Sequence, residues 1–189
     1  LYIVENGNTV NSLEDLKGKT VYSTGKGTTP EYALNYLLTS NGIDPQKDLT
    51  VEYKAESTEV AAVLASTPDA IGVLPEPFVT VAKSKNENLR DAISFGDEWK
   101  KINGEELVTG VLIVRNEFLE NNQGAFETFL SEYKASTEFT KSAPDAAAEL
   151  VGKYEIVPAP VAKIAIPKSN ITFIAGEDMK ANLGAYLKI

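Results

Sequence analysis

The sequence contains no cysteine and no histidine. Without cysteine, a disulfide framework, a thiolate nucleophile and a thiolate metal site are all excluded. Without histidine, the chain lacks the commonest general base at neutral pH, the commonest transition-metal ligand and the middle member of a Ser-His-Asp triad. Most familiar hydrolase mechanisms are therefore excluded, and we expect no enzymatic activity, no metal and no cofactor.

Positive charge is scarce, and long apolar runs are absent. The chain has 18 basic and 27 acidic residues, which gives a formal net charge of −9. It therefore lacks long-range attraction to nucleic-acid phosphates, and we expect no nucleic-acid partner. No segment approaches the roughly 20 apolar residues that a membrane-spanning helix needs, and no signal-peptide pattern is present. The sequence as given predicts a soluble chain.

The two ends indicate a fragment. The chain starts at Leu1 and not at methionine, and it stops at Ile189 inside an apolar run that includes Met179 and Leu183. We interpret this as part of a longer precursor that supplies an export signal and further structured sequence.

From residue 19 to about residue 95, short β-branched runs alternate with helical stretches, a pattern typical of βαβ units on a mainly parallel sheet. Pro30 stands in a first helical turn, and Ser57 or Thr58 is expected to cap the following helix. After residue 115 the pattern becomes helical, at 126–139 and 146–151. The polar stretch 96–106 is predicted to be a surface loop or short helix. The predicted strands are 20–23, which we take as the first, 49–53, 70–74, 89–95 and 107–114.

A glycine-rich loop at residues 23–30 separates the strand at 20–23 from the first helix. Such a loop exposes backbone N–H groups near the positive end of a helix dipole, which suits an anionic ligand group. The glycine spacing matches neither a nucleotide P-loop nor a dinucleotide fingerprint. The alternative is an ordinary capped helix with a flexible approach.

Glu76 and Thr109 are further candidates for ligand contact. Glu76 follows a predicted parallel strand, at the edge where open α/β sheets place ligands, and its carboxylate suits an amine or amide. A solvated turn carboxylate is the alternative. Thr109 lies in a strand interrupted by Gly110, and a glycine there commonly marks a bulge or a close backbone approach. Nothing fixes the separation of any two carboxylates, so a glycosidase pair is not indicated.

Several segments in order resemble the substrate-binding proteins of ABC importers, in the group for nitrate, sulfonates, taurine and thiamine precursors (pyrimidines). The segments are 13–21, 25–30, 70–78, 109–112 and 171–174, which together span most of the chain. The resemblance implies a type II periplasmic-binding-protein fold, an α/β architecture with a mainly parallel sheet flanked by helices. Two lobes in such a fold clamp a solute between them.

The resemblance also implies a domain organisation and a set of site residues. Residues 1–17 would cross from lobe one, 18–110 would form the ligand-gripping α/β lobe two, and 111–189 would return to a mostly helical, incomplete lobe one. The implied ligand-binding residues are Gly25, Lys26, Gly27, Thr28, Thr29, Glu76, Pro77 and Thr109.

The function that the resemblance implies is that of an extracytoplasmic solute-binding component of an ABC importer, with a small polar or anionic molecule bound in an interlobe cleft. The implied partners are that solute and ABC permease subunits. The implied location is periplasmic or on the cell surface as a lipoprotein, with a lipid anchor as the only membrane attachment and a monomeric state. The alternatives are a sensing or protein-contact domain on the same lobe, and an enzyme like those that form the thiamine pyrimidine.

Overall fold

A computed structural model describes residues 1–188 of the chain. It divides the chain into two compact units, Leu1–Leu107 and Val108–Ile189. The first unit contains a β-sheet with helices, whereas the described part of the second is helical without strands. Each unit is described by itself below.

The first unit is built on a five-stranded sheet with the order β3-β2-β4-β1-β5. β2 pairs in parallel with β3 and β4, whereas β1 pairs antiparallel with β4 and β5. Four strands therefore run in one direction and β1 runs in the other. The strands are β1 Tyr2–Asn6, β2 Thr20–Ser23, β3 Thr50–Tyr53, β4 Ile71–Leu74 and β5 Leu89–Ser94.

Helices cover both faces of this sheet. Neighbouring strand residues point to opposite faces, and Ile3 and Val4 are both fully buried. Val4 belongs to an apolar cluster that α2 and α3 complete with residues such as Val60 and Val79. The helices of this unit are α1 Thr29–Ser40, α2 Ser57–Ser66, α3 Phe78–Lys85 and α4 Phe95–Asn103.

The carboxylate of Glu5 is buried in the sheet, and both of its oxygens accept hydrogen bonds. Glu5 is 0% exposed and stands directly opposite Arg90 in the β1–β5 pairing. Its oxygens accept hydrogen bonds from the Arg90 guanidinium at 2.7 Å, from the Thr9 backbone N–H at 2.8 Å and hydroxyl at 2.6 Å, and from the Val10 N–H at 3.2 Å. Burial would raise the pKa of Glu5, but these hydrogen bonds outweigh it and lower the pKa.

Most elements predicted from the sequence are present, with boundaries shifted by up to three residues. The strands at 20–23, 49–53, 70–74 and 89–95 are confirmed, and so are the helices that follow them. Pro30 does lie in the first turn of α1. The helical second half is confirmed as well.

Three expectations were wrong or incomplete. The first strand is Tyr2–Asn6 and not 20–23. No strand forms at 107–114, where Val111, Leu112 and Ile113 are exposed and no neighbouring strand pairs with them. The stretch 96–106, predicted to be a surface loop or short helix, lies largely in the short helix α4, but its Trp99 is only 3% exposed, with 4.7 Å between the centroids of the Trp99 and Tyr36 rings.

The second unit has little apolar interior among its described residues. Its buried side chains are small: Thr137, Ala147, Ala148, Ala162 and Ala165. Its large apolar side chains are mostly exposed, and several of them line a concavity of about 260 Å³ that includes Leu112, Phe118 and Phe129. Its helices are α5 Asn116–Asn121, α6 Gln123–Ser142, α7 Pro144–Lys153, α8 Ala159–Ala165 and α9 Gly176–Tyr186.

Candidate ligand-binding site

The candidate site lies in the first unit, where parallel strands end. From β2 the chain passes through α1 to β3 on one side, and through α2 it returns to β4 on the other side of β2. The loops after β2 and β4 therefore flank a point where the chain changes direction, which is where open α/β sheets bind ligands. We call residues 24–29, 54–57 and 75–77 the strand-end edge.

The loop after β2 is a closed turn that glycine makes possible. Gly25 and Gly27 have φ angles of 71° and 78°, which side-chain-bearing residues rarely adopt. A Cβ atom on Gly25 would lie 2.6 Å from the Thr28 hydroxyl oxygen. The Gly25 carbonyl accepts hydrogen bonds from the Thr28 backbone N–H at 3.0 Å and from the Thr28 hydroxyl at 2.7 Å. The donors of Thr28 are therefore used within the turn.

Another backbone N–H of this loop donates its hydrogen bond to a carboxylate of the chain itself. The Gly27 N–H donates to Glu31 Oε2 at 2.5 Å. The ring of Tyr53, at the end of β3, lies beneath the Lys26 ammonium, with 5.7 Å from the nitrogen to the ring centroid. Burial, followed by the negative charge of Glu31, raises the pKa of Tyr53 to about 12. Glu31 thus interacts with groups that could also bind an incoming anion.

Two hydroxyls meet between the loops after β2 and β3. Thr24 is 9% exposed, and its hydroxyl lies 3.4 Å from that of Ser57, with either group able to donate. The prediction that Ser57 or Thr58 caps α2 is wrong: both lie inside the helix, and no side chain caps it. Instead, Glu59 Oε2 accepts from the Ala55 N–H at 3.0 Å.

Among residues 1–188, only one carboxylate oxygen of Glu76, which follows β4, accepts hydrogen bonds. Its Oε2 accepts from the Thr80 hydroxyl at 2.9 Å and from the Thr80 N–H at 3.2 Å. Its Oε1 is buried and has no hydrogen-bond partner among residues 1–188. Pro77, which follows through a cis peptide bond, immediately precedes α3. The carboxylate is therefore fixed at the edge with one oxygen still lacking a donor.

The predicted residues of the β2 and β4 loops follow neighbouring strands at one edge of the sheet. Thr109 belongs to the second unit, is exposed and lies outside any strand. A Cβ on Gly110 would meet nothing within 4 Å, so the expected close backbone approach is wrong. Sequence reasoning missed Glu31, although its position three residues after Thr28 matches the capping-box spacing.

Within residues 1–188, no group of three or more carboxylates is placed to hold a metal ion. None of the helices in the same span combines the length and the apolar character required to cross a membrane.

Solved structures similar to this chain include several that belong to transport proteins. The periplasmic aliphatic sulphonate binding protein SsuA from Escherichia coli matches with a TM-score of 0.74 and 17% identity, over 99% of this chain and 58% of that one. An ABC transporter structure from Parabacteroides distasonis matches with a TM-score of 0.72 and 20% identity, over 99% and 62%. The alkanesulfonate-binding protein SsuA from Xanthomonas axonopodis pv. citri, bound to MOPS, matches with 0.70 and 15%, over 97% and 61%.

These similarities confirm the predicted α/β periplasmic-binding-protein-like fold. The chain spans about three fifths of the length of each of these three structures. No curated protein sequence matches it. The family model described as NMT1/THI5 like matches residues 1–147, more than three quarters of the sequence, so the chain belongs to the NMT1/THI5-like family.

Proposed function

We propose that this chain belongs to the extracytoplasmic solute-binding component of an ABC importer and that it binds a small polar molecule at the strand-end edge. The observation that carries this proposal is the pair of loops flanking the change of direction between β2 and β4. They present a glycine turn, the Thr24 hydroxyl and the half-buried Glu76 carboxylate, and the Ser57 hydroxyl at the start of α2 lies beside Thr24. Membership of the NMT1/THI5-like family supports it.

The proposal extends to the two-lobed organisation that the resemblance implies. In this proposal residues 18–110 are the gripping lobe, and 111–189 belong to a lobe of which this chain holds only part. Thr109 then faces the solute from the hinge. Large exposed apolar patches usually mark contact surfaces. The exposed apolar side chains of the second unit, such as Phe118 and Phe129, therefore support the proposal that further protein packs against them.

Binding without chemistry is the proposed mode of action. A solute that contacts both lobes favours the closed conformation because it binds that state more tightly, and the closed form docks on the permease. The chain contains no histidine, the side chain that most often serves as a general base near neutral pH. The protein acts outside the cytoplasm, as a periplasmic protein or a lipid-anchored monomer.

The test is equilibrium binding by the natural full-length polypeptide, followed by analysis of the recovered solute. A panel of sulfonates, nitrate, amino acids, amines and pyrimidines is screened by thermal shift, where a ligand at ~100 times its Kd adds about 2.7 kcal/mol of stability. We expect one class to bind and to be recovered unchanged after long incubation. Accumulation of a product would show an enzyme, and a folded protein that binds no member of the panel would favour a protein-contact domain.

A further inference from the structure

Three hydrogen-bond donors of the glycine turn are already used within the chain. The backbone and hydroxyl donors of Thr28 are used by Gly25, and the Gly27 N–H is used by Glu31. A sulfonate or carboxylate that approached this loop would have to displace Glu31 and overcome its like charge. The glycine turn in this chain is therefore not an open anion cradle.

The basic side chains at the edge are also engaged. Lys54 lies 3.4 Å from the Glu52 carboxylate and 5.2 Å from the centroid of the Tyr22 ring. Lys26 lies over the ring of Tyr53, and the Tyr53 side chain also interacts with the negatively charged Glu31. Lys54 is thus paired with a carboxylate and Lys26 lies over an aromatic ring, so each ammonium group already interacts within the chain.

Glu76 Oε1, in contrast, has no hydrogen-bond donor among residues 1–188, although the Leu1 ammonium is near enough to interact with the charge of this carboxylate. A buried carboxylate oxygen without a donor is costly, and native structures rarely keep one unless a ligand, ion or water completes it. The carboxylate cannot turn freely, because Thr80 holds its other oxygen with two hydrogen bonds. The side chain as a whole is half-buried, and a solute reaches the buried Oε1 once the atoms that cover this oxygen move aside.

We infer that the solute donates an N–H group, as an amine, amidine or similar head group, to Glu76, and that Glu31 excludes simple sulfonates from the Gly27 amide. This inference rests on the proposed function and narrows it to one ligand class. It separates this chain from the sulfonate-binding proteins that share its fold. The Thr24 and Ser57 hydroxyls, which can either donate or accept, then contact the rest of the solute.

The experiment compares probes that differ only in the head group. Benzamidine is matched with benzenesulfonate, and methylammonium with methanesulfonate, by calorimetric titration of the natural full-length polypeptide. We expect the amidine and amine to bind and the sulfonates not to bind. Glu76→Gln should weaken the N–H probes about tenfold or more, because a charged acceptor is lost. Glu31→Gln should strengthen binding of the sulfonates.

Glu59→Gln is the matched control for both variants. It removes one negative charge next to the same edge, but from the Ala55 N–H and not from the Gly27 loop or Glu76. We expect it to change neither preference by more than about twofold, as for a screened surface charge. Circular dichroism melting of every variant checks that the fold is retained.

Each outcome bears on the inference. Binding of a sulfonate by the unmodified protein, or unchanged affinity for the N–H probes in Glu76→Gln, would overturn the inference and leave the proposed solute-binding function standing. Binding of no probe, together with no hit in the wider panel, would overturn both.

Discussion

Replacing Arg90 with leucine is expected to destabilise the first unit strongly. The change leaves the Glu5 carboxylate, which is 0% exposed, without the charged partner that it has among residues 1–188. It also removes the hydrogen bonds from the guanidinium to the Gly7 carbonyl, at 3.1 Å, and to the Val10 carbonyl. The perturbation therefore affects an ion pair and the turn that follows β1 at once.

The magnitude follows from the asymmetry of buried ion pairs. Removing one partner typically costs about 3–5 kcal/mol, because the remaining charge is desolvated without compensation. The hydrogen bonds that Glu5 keeps from Thr9 and Val10 moderate this cost, so we expect a value near 3 kcal/mol. Glu5→Gln, which removes the charge but keeps the shape, should cost less, about 1–2 kcal/mol.

The chain provides a selective probe for this measurement. Trp99 is the only tryptophan and is buried in the first unit, so its fluorescence during urea unfolding reports on that unit. The free energy of unfolding is compared for the unmodified chain, both single variants and the double variant Glu5→Leu/Arg90→Leu. A loss below about 1 kcal/mol for Arg90→Leu would refute the reasoning, because it would mean that the pair contributes no more than an exposed one.

The same pair predicts a pH dependence. Because the pKa of Glu5 is lowered in the folded state, its contribution is present above the unfolded pKa of roughly 4.3 and is lost as the pH falls through the lower folded value. The unmodified chain should therefore lose stability more steeply below about pH 4 than Glu5→Gln does. Parallel curves for the two proteins would contradict this.

Three further predictions concern packing and the strand-end edge. Gly72→Ala should destabilise the first unit by about 1–3 kcal/mol, because the added Cβ would lie 2.8 Å from Val60 Cγ1. Gly96→Ala is the control and should be nearly neutral in the same Trp99 fluorescence assay, because its Cβ would meet nothing closer than 3.8 Å. An alkaline titration of the unmodified chain, with Tyr53→Phe as the reference, should show Tyr53 ionising near pH 12. Glu31→Gln should lower that pKa, and ionisation of Tyr53 near pH 10 in the unmodified chain would contradict the geometry. Ile113→Asp should change stability by less than about 0.5 kcal/mol in the isolated chain, because Ile113 is 86% exposed, and a larger loss by calorimetry would show that it is covered.

Much of the first unit follows from local pattern. Short β-branched runs, Pro30 in a first turn and the break at residues 41–42 all correspond to real element boundaries, because these features act within a few residues. β1 was missed because the charged Glu5 interrupts a short apolar run. Its burial depends on Arg90, 85 residues away, and no local pattern contains that information.

The errors at 107–114 and at the cap of α2 have the same kind of cause. Val111, Leu112 and Ile113 favour a strand by propensity, but a strand needs a neighbour, and none pairs with them among residues 1–188. At α2, Glu59 reaches back to the Ala55 N–H, so the Ser57 hydroxyl is left to face Thr24 from the adjacent strand loop. The topology places the β2 and β4 loops together, and sequence reasoning anticipated that edge but not the roles of Glu31 and Thr24.

The central claim is that a small molecule binds where β2, β3 and β4 end. Hydrogen–deuterium exchange of the natural full-length polypeptide, with and without the compound that gives the largest thermal shift, tests it most directly. The account predicts slower exchange at residues 24–29, 54–57 and 75–80, with little change along β1 and β5. Protection confined to other segments, with these loops unchanged, would contradict it.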